Sequence, residues 1–355
     1  MGLFENMLKD SESLFLNETE LDVDYVPRIV KYRENQQQYM ATCIKPLFQN
    51  RNGTHLLITG KPGIGKTVAV KKVFEDLEKE TLDIVPIHIN CWKKDTFYKI
   101  ALHICEKAGY KWVHNKKSDE LFKEACNILN KKKVVLCFDE VDKLEEQSIL
   151  YSVIEDLYKK TIFLVTNEKD WLAKLDQRIR SRMIPEILEF EPYNYDETRG
   201  ILEQRKETAF VPEVWDEQAF EKIVEKTVEI GDIRIGLFLL RESGNAAETK
   251  SSRKILSSHV ETAIKKLGKG FEIRNTKDLG EEETFILELA KGKPETNMKQ
   301  LYDEYRKKYD QSYRTLQRKV RDLEEAGLLT TKESTTKQGG KASIVSVASK
   351  KLTDF

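Results

Sequence analysis

The chain has 355 residues, 39% hydrophobic and 34% charged, and its 60 basic and 60 acidic side chains cancel to a net charge of zero. This length predicts two or three domains with ordinary cores, and the charge balance excludes a chain that is basic throughout, so any surface for an acidic partner has to be local. No apolar run approaches the roughly 18 residues of a membrane span, and five scattered cysteines are typical of free thiols in the cytoplasm.

Short apolar runs in the first half of the chain predict five β-strands. Unbroken apolar runs separated by helix-length segments are typical of parallel strands that are buried on both faces. Apolar residues at helical spacing predict helices over Phe97–Gly109 and Asp119–Leu129. The first part of the chain is therefore expected to be an α/β domain. The predicted strands are His55–Thr59, Ile84–Ile89, Lys133–Phe138, Thr161–Val165 and Glu186–Phe190.

After Pro192 the pattern changes from strands to helices, and it changes again near Thr276. The middle part predicts a small helical domain, and the last part predicts helices followed by a Ser/Thr/Gly-rich β segment from Thr330 to Ser349. We predict domain boundaries at 1–191, 192–272 and 273–355. The helices of the middle part are expected to begin at Asp196, Asp216, Asp232 and about Ser257.

A phosphate-binding loop follows the first predicted strand, in the pattern Gly60-x-x-x-x-Gly65-Lys66-Thr67. Glycines let backbone N–H groups surround phosphates, and the next helix adds positive potential at its N-terminus. Lys66 is expected to reach the β- and γ-phosphates, and Thr67 to ligate Mg²⁺. A glycine turn with an incidental lysine is the alternative, which the flanking strand and helix disfavour. The loop predicts ATP or ADP with Mg²⁺, contacted by Gly60, Pro62, Gly63, Ile64, Gly65, Lys66, Thr67 and Val68.

Polar residues follow two later strands, at the edge where ligands bind in open α/β sheets. Asp139 and Glu140 end the third strand, and Asn167 follows the fourth. Asp139 suits an indirect Mg²⁺ contact, and Glu140 is placed to polarise the water that attacks the γ-phosphate. Asn167 could orient that water. The alternatives are an ordinary strand end and an ordinary turn asparagine.

Two groups of arginines lie outside these motifs. Arg178, Arg180 and Arg182 form a basic stretch, which is either a solvated loop or the source of an arginine that reaches a neighbouring subunit's nucleotide. Arg234 lies in the first turn of a predicted helix, where the helix dipole disfavours a cation. An anionic partner is therefore expected there, and the γ-phosphate is the natural candidate.

Residues 283–348 fit a winged helix-turn-helix, whose third helix, Ser312–Glu325, has one apolar and one basic face. The apolar face is Tyr313, Leu316, Val320 and Leu323. The other face and the tip of the following hairpin predict contacts with double-stranded DNA. A solvated charged helix is the alternative, and many winged helices bind protein. The predicted DNA contacts are Arg314, Gln317, Arg318, Arg321, Lys337 and Lys341.

In this order the motifs resemble the AAA+ ATPases, specifically the archaeal-type origin-recognition initiators, over nearly the whole chain. The segments Tyr25–Arg28 and Tyr32–Gln36 are similar to the family segment that packs on adenine, and Phe190–Tyr193 resembles the start of the helical lid. The resemblance implies an AAA+ base with a parallel sheet, an α-helical lid and a C-terminal winged helix-turn-helix. It also implies that Tyr25, Val26, Arg33 and Tyr193 contact the nucleotide.

The resemblance assigns further roles. Asn167 matches sensor 1, Arg182 the arginine finger and Arg234 sensor 2, whereas Ile64 departs from the threonine usual in the family's loop. The extra DNA-contacting helix of the family would correspond to Trp112–Phe122.

The function implied is that of an ATP-dependent initiator that recognises a replication origin, helps to load the replicative helicase and uses slow ATP hydrolysis as a switch. Its partners would be origin DNA, the helicase and other initiator subunits. The protein would not bind a membrane and would be found in the cytoplasm, associated with the nucleoid. A STAND-type regulatory or transposition-linked ATPase, or a subunit of a clamp or helicase loader, are the alternatives.

Overall fold

Five parallel strands form the central sheet. The computed structural model of the chain describes residues 13–114, 116–277, 281–292, 296–309, 311–325, 329–335 and 341–347. The chain consists of two compact units, Met1–Ser257 and Ser258–Phe355. The first contains the sheet, in the order β2-β3-β4-β1-β5. Its strands are β1 (Leu56–Thr59), β2 (Ile84–Asn90), β3 (Lys133–Asp139), β4 (Lys160–Thr166) and β5 (Glu186–Glu189).

Both faces of the sheet are covered, which explains the unbroken apolar runs. Along β3, Val134, Leu136 and Phe138 belong to one core cluster, and Val135 and Cys137 to the other, as the alternation of side chains in a strand requires. Helices α3, α4, α5 and α7 pack on the first face, and α1 and α2 on the second. These helices, with the short α6, are α1 (Glu34–Phe48), α2 (Lys66–Glu80), α3 (Phe97–Ala108), α4 (Ser118–Leu129), α5 (Ser148–Asp156), α6 (Trp171–Lys174) and α7 (Gln177–Met183).

The helical part of the first unit begins after β5 and contains α8 (Tyr195–Ala209), α9 (Glu217–Ile230) and α10 (Ile233–Thr249). Side-chain caps fix where two of these helices start, because a carboxylate that accepts from a free N–H stabilises a helix N-terminus. Asp216 accepts from the backbone of α9 and Asp232 from that of α10. Both are among the predicted helix starts.

Residues 13–33, here called the N-terminal arm, pack along this helical part. The hydroxyl of Ser13 and the backbone N–H of Leu14 donate to Oε1 of Glu248 at 2.7 and 2.8 Å. Nη1 of Arg205 donates to the carbonyl oxygen of Glu20 at 3.1 Å. The first residues described are therefore held by the last helix of the unit.

The second unit is a winged helix-turn-helix. Its three-stranded sheet has the order β6-β8-β7, with antiparallel pairs. In the helix Tyr313–Glu325, Leu316, Val320 and Leu323 are buried as predicted, but Tyr313 is 39% exposed, and its ring lies perpendicular to that of Tyr302 with the centroids 5.1 Å apart. The elements are α11 (Ser257–Lys277), α12 (Glu281–Gly292), β6 (Thr296–Asn297), α13 (Met298–Lys308), α14 (Tyr313–Glu325), β7 (Leu329–Thr335) and β8 (Lys341–Val347).

The domain limits of the sequence analysis stay a prediction, and the one at 272/273 falls inside α11. All five cysteines are buried and free. Among the described residues, no helix has the length and apolar character needed to cross a membrane.

Candidate functional site

The loop between β1 and α2 contains three glycines whose backbone conformations would strain any other residue. Gly60, Gly63 and Gly65 have φ angles of +146°, +72° and +90°, which side chains disfavour. Helix α2 begins at Lys66, immediately after the loop. Its unpaired N–H groups and dipole therefore meet the loop, an arrangement that binds phosphate.

Lys66 connects this loop to the end of β4. Its ammonium group donates to the carbonyl oxygens of Gly60 and Lys61 at 2.7 and 2.6 Å, and to Oδ1 of Asn167 at 2.8 Å. Burial lowers the pKa of Lys66 to about 8, because a low-dielectric environment disfavours the charged form. The lysine and asparagine predicted for this site are thus in direct contact.

A hydroxyl and a carboxylate meet beside the loop. Thr67 Oγ1 donates to Oδ2 of Asp139 at 2.8 Å, and Asp139 is 1% exposed. Both atoms are hard oxygen donors of the type that Mg²⁺ prefers. Glu140 follows with φ of 54°, a left-handed conformation that is unusual for glutamate. The pair could hold the metal, with Glu140 next to it.

Two residues of β2 for which no role was predicted contact these carboxylates. His88 Nε2 lies 3.1 Å from Oδ2 of Asp139, and Asn90 Nδ2 donates to Oε2 of Glu140 at 3.3 Å. The register of the sheet places Asn90 opposite Asp139. The signal available in the sequence was the polar end of β2, but its neighbour in the sheet was unknown.

Arg234 contacts an anionic side chain of its own chain, Asp232. Nε of Arg234 donates to both carboxylate oxygens of Asp232, at 2.9 and 3.0 Å. This hydrogen bonding raises the pKa of Arg234. Asp232 also accepts from the backbone N–H of Arg234 at 2.9 Å. A carboxylate two residues earlier thus supplies one anion for Arg234, and the contact with the γ-phosphate stays a prediction.

A cavity of about 470 Å³ is lined by most of the residues predicted to bind the nucleotide. Arg33, Gly60 and Ile64 do not line it. Its lining extends to residues that the sequence analysis did not select, among them Val23, Ile29, Gln204 and Leu237. The predicted residues that line it are Tyr25, Val26, Pro62, Gly63, Gly65, Lys66, Thr67, Val68, Asp139, Glu140, Asn167, Tyr193 and Arg234.

Arg33 lies behind the loop. It is 4% exposed and donates through Nη2 to the carbonyl oxygens of Ile64 and Glu191, at 3.0 and 2.7 Å. Its guanidinium carbon lies 3.8 Å from the centroid of the Tyr193 ring. Arg33 therefore holds the loop to the segment that joins β5 and α8, a role that the predicted contact with nucleotide did not include.

Arg182, on α7, does not line the cavity of its own chain. It pairs with Glu155 of α5, and its guanidinium lies 5.1 Å from the ring centroid of Tyr151. The contact of Arg182 with the nucleotide of a neighbouring subunit stays a prediction.

In the second unit, the four predicted DNA-contacting residues of α14 are exposed and line one depression of about 720 Å³. Lys337 lies outside the described residues, and of Lys341 only the backbone, at the start of β8, is described. The depression is lined by Arg314, Gln317, Arg318 and Arg321, together with Ser312, Thr315 and Glu324 among others.

The predicted helix Trp112–Phe122 is wrong in its first half. Helix α4 begins only at Ser118, and Trp112 is an 80% exposed loop residue. The β-branched Val113 and the following His114 are weak helix formers, and the buried stripe of α4 starts at Leu121.

Two family descriptions match the chain. The AAA domain covers residues 49–169, and the Cdc6 AAA+ ATPase-type lid domain covers residues 199–265. The Aeropyrum pernix ORC1 protein, solved in complex with DNA, has the same fold, with a TM-score of 0.76 and 24% identity over 96% of this chain and 95% of that one.

Two similar proteins extend these matches. The ORC1-type DNA replication protein 2 of Methanothermobacter thermautotrophicus is 29% identical, over 92% of this chain and 90% of that protein. The ORC1-type DNA replication protein of Methanocorpusculum labreanum is 31% identical, over 74% of this chain and 68% of that protein. The chain belongs to the family of ORC1-type DNA replication proteins and is a nucleotide-binding AAA+ ATPase.

Proposed function

We propose that this protein is an ATP-controlled replication initiator that binds double-stranded origin DNA and helps to load the replicative helicase. The observation that carries the proposal is the cavity itself. It is lined both by the loop residues Lys66 and Thr67 and by Ile233 and Arg234 of α10. A nucleotide bound there would contact the sheet and the helical lid together, so its γ-phosphate could control the angle between them.

The proposed chemistry follows from the contacts described above. Lys66 would bind the β- and γ-phosphates, Asn167 would orient the attacking water, and Glu140 would accept its proton. Mg²⁺ held by Thr67 and Asp139 would neutralise charge on the phosphates. Hydrolysis is expected to be slow, since a switch requires states that persist.

DNA binding is proposed for α14. Its exposed residues Arg314, Gln317, Arg318 and Arg321 line one depression, and a recognition helix with such a face can enter the major groove. The Aeropyrum pernix ORC1 protein of the same fold was solved in complex with DNA. Lys337 and Lys341 of the hairpin would add backbone contacts, and Arg182 would act on a neighbouring initiator subunit.

The test is footprinting of the DNA that flanks the protein's own gene, with ATP and with ADP. The wild type is expected to protect a defined site and to change its pattern between the nucleotides. Lys66→Ala should abolish that change. The double variant Arg314→Ala/Arg318→Ala should lose protection while retaining ATP binding.

A double variant of α13, Lys307→Ala/Lys308→Ala, removes the same charge from another helix and serves as the matched control. A footprint that the α14 variant leaves intact would contradict the proposed DNA surface. A pattern identical with both nucleotides would contradict ATP control, and the absence of any protected site would favour the STAND-type regulatory ATPase.

A further inference from the structure

The start of α10 rests directly on the phosphate-binding loop. The backbone N–H of Ile233 donates to the carbonyl oxygen of Gly63 at 3.2 Å. The Asp232 carboxylate lies so close to Gly63 that a Cβ atom on this glycine would come within 1.9 Å of Oδ1. A negatively charged side chain is therefore held against a loop whose N–H groups bind phosphate.

The same Asp232 carboxylate forms a hydrogen-bonded ion pair with the guanidinium of Arg234. The contacts through Nε and Nη2 take one of the two edges at which a guanidinium binds an oxyanion with two parallel hydrogen bonds. The pair is partly shielded, since the Asp232 side chain is 19% exposed and that of Arg234 is 47% exposed. Arg234 also lines the nucleotide cavity, so its guanidinium lies between an internal anion and the ligand.

We propose that Asp232 sets the preference of this site for ATP over ADP, by competing with the γ-phosphate for Arg234. The inference rests on the proposed role of Arg234 as a γ-phosphate contact. ADP has no γ-phosphate, so it binds while the Asp232–Arg234 pair stays intact. The γ-phosphate of ATP meets a guanidinium whose charge Asp232 already neutralises in part, so ATP gains less from Arg234 than it would from an unpaired arginine, and its affinity is reduced accordingly.

Asn in place of Asp232 isolates the charge from the structure. Its side-chain oxygen can still accept from the N–H of Arg234 and cap α10, but it neither neutralises the guanidinium nor repels phosphate. With full-length protein, we would measure dissociation constants for ADP and for the β,γ-imido analogue of ATP, which avoids hydrolysis, by displacement of a fluorescent nucleotide.

For Asp232→Asn, the ratio of the ADP constant to the analogue constant is expected to rise about twofold to fivefold, as the loss of a partly exposed ion pair predicts. Asp216→Asn is the matched control. Asp216 caps α9 through Ala219 N at 3.1 Å and does not line the cavity, so its variant should leave the ratio unchanged. A ratio that Asp232→Asn leaves unchanged or lowers overturns the inference.

Arg234→Ala separates failure of this inference from failure of the proposed function. It should lower the ratio, and the double variant Asp232→Asn/Arg234→Ala should match Arg234→Ala alone. If Arg234→Ala has no effect, the proposed role of Arg234 is wrong. If Arg234→Ala lowers the ratio but the double variant restores it, Asp232 acts on phosphate directly and the competition is refuted.

Discussion

The hydroxyl of Thr67 and the carboxylate of Asp139 are joined by a 2.8 Å hydrogen bond between residues 72 positions apart. The contact connects the first turn of α2 to the end of β3, so the two predicted Mg²⁺ positions form one unit. A variant of either residue therefore tests the whole site, because a metal held by Thr67 directly and by Asp139 indirectly would lose a contact when either is changed.

Thr67→Val, which keeps the shape of the side chain but removes the hydroxyl, is expected to reduce Mg²⁺-dependent ATP hydrolysis about 100-fold, the loss of roughly 2.7 kcal/mol of transition-state stabilisation. Thr67→Ser retains the hydroxyl and should stay within a few-fold of wild type. Steady-state phosphate release provides the measurement. Equal activity of the valine and serine variants would exclude a metal role for this hydroxyl.

Nucleotide affinity should fall as the pH rises through about 8, because burial lowers the pKa of Lys66 from its ordinary value of 10.5 to about that value. The neutral amine that forms above this pH attracts phosphate less, so binding at pH 9 requires uptake of a proton. Calorimetric ADP titrations from pH 7 to 9.5, in two buffers of different ionisation enthalpy, detect both effects. In Lys66→Arg, whose charge persists, the decline over this range should vanish; an identical decline would assign it to another group.

The same shift has a consequence for stability. Between about pH 8 and the ordinary lysine pKa, the unfolded chain binds more protons at Lys66 than the folded one. The contribution of this group to the free energy of unfolding therefore rises with pH across that window. Urea titrations at pH 7.5 and 9.5, compared with Lys66→Met, should show this difference; if both proteins respond equally to pH, Lys66 is not its source.

Arg33→Met should destabilise the first unit by about 2–4 kcal/mol, since it leaves the carbonyl oxygens of Ile64 and Glu191 without their buried donor. The displaced loop is also expected to bind ADP less tightly. Arg51→Met, at an exposed arginine outside the cavity, is the control. Thermal unfolding with and without ADP measures both effects, and equal midpoints for the two variants would count against the structural role.

Arg318→Ala should weaken DNA binding and reduce the slope of log affinity against log salt by about 1, as expected for one phosphate contact. Lys307→Ala, which removes an exposed charge on α13 that pairs with Glu304, should leave the slope unchanged. Titrations of a labelled duplex at several salt concentrations make the comparison. A lower affinity with an unchanged slope would mean that Arg318 reads a base edge instead.

The spacing of apolar residues along the sequence was sufficient to predict the strands of the parallel sheet. All five strands of the parallel sheet lie within about one residue of their predicted limits, because strands buried on both faces must be apolar throughout. Helix α14 spans Tyr313–Glu325, within one residue of the predicted Ser312–Glu325. Helix α1 was not predicted, since its first turns contain the polar run Gln36–Gln38 and only its inner stripe is buried.

The remaining features depend on pairings distant in sequence. The strand order is decided by how crossovers pack, so nothing in β2 alone shows that His88 meets Asp139. Arg234 was selected because a cation at a helix start needs an anion, and the γ-phosphate was the expected one. The sequence did not reveal which anion, because Asp232 could equally have acted only as a cap.

The N-terminal arm makes the order of synthesis matter. It is translated before the rest of the first unit, but two of its acceptors belong to Glu191 and Glu248, 158 and 235 residues later than their donors. Until Glu191 has been translated, Arg33 lacks this carbonyl acceptor, and it cannot join the back of the phosphate-binding loop to the segment after β5. A nascent chain therefore cannot complete its nucleotide site before these later residues have been made. Premature termination before α10 would leave the N-terminal arm without Glu248, which accepts its first hydrogen bonds.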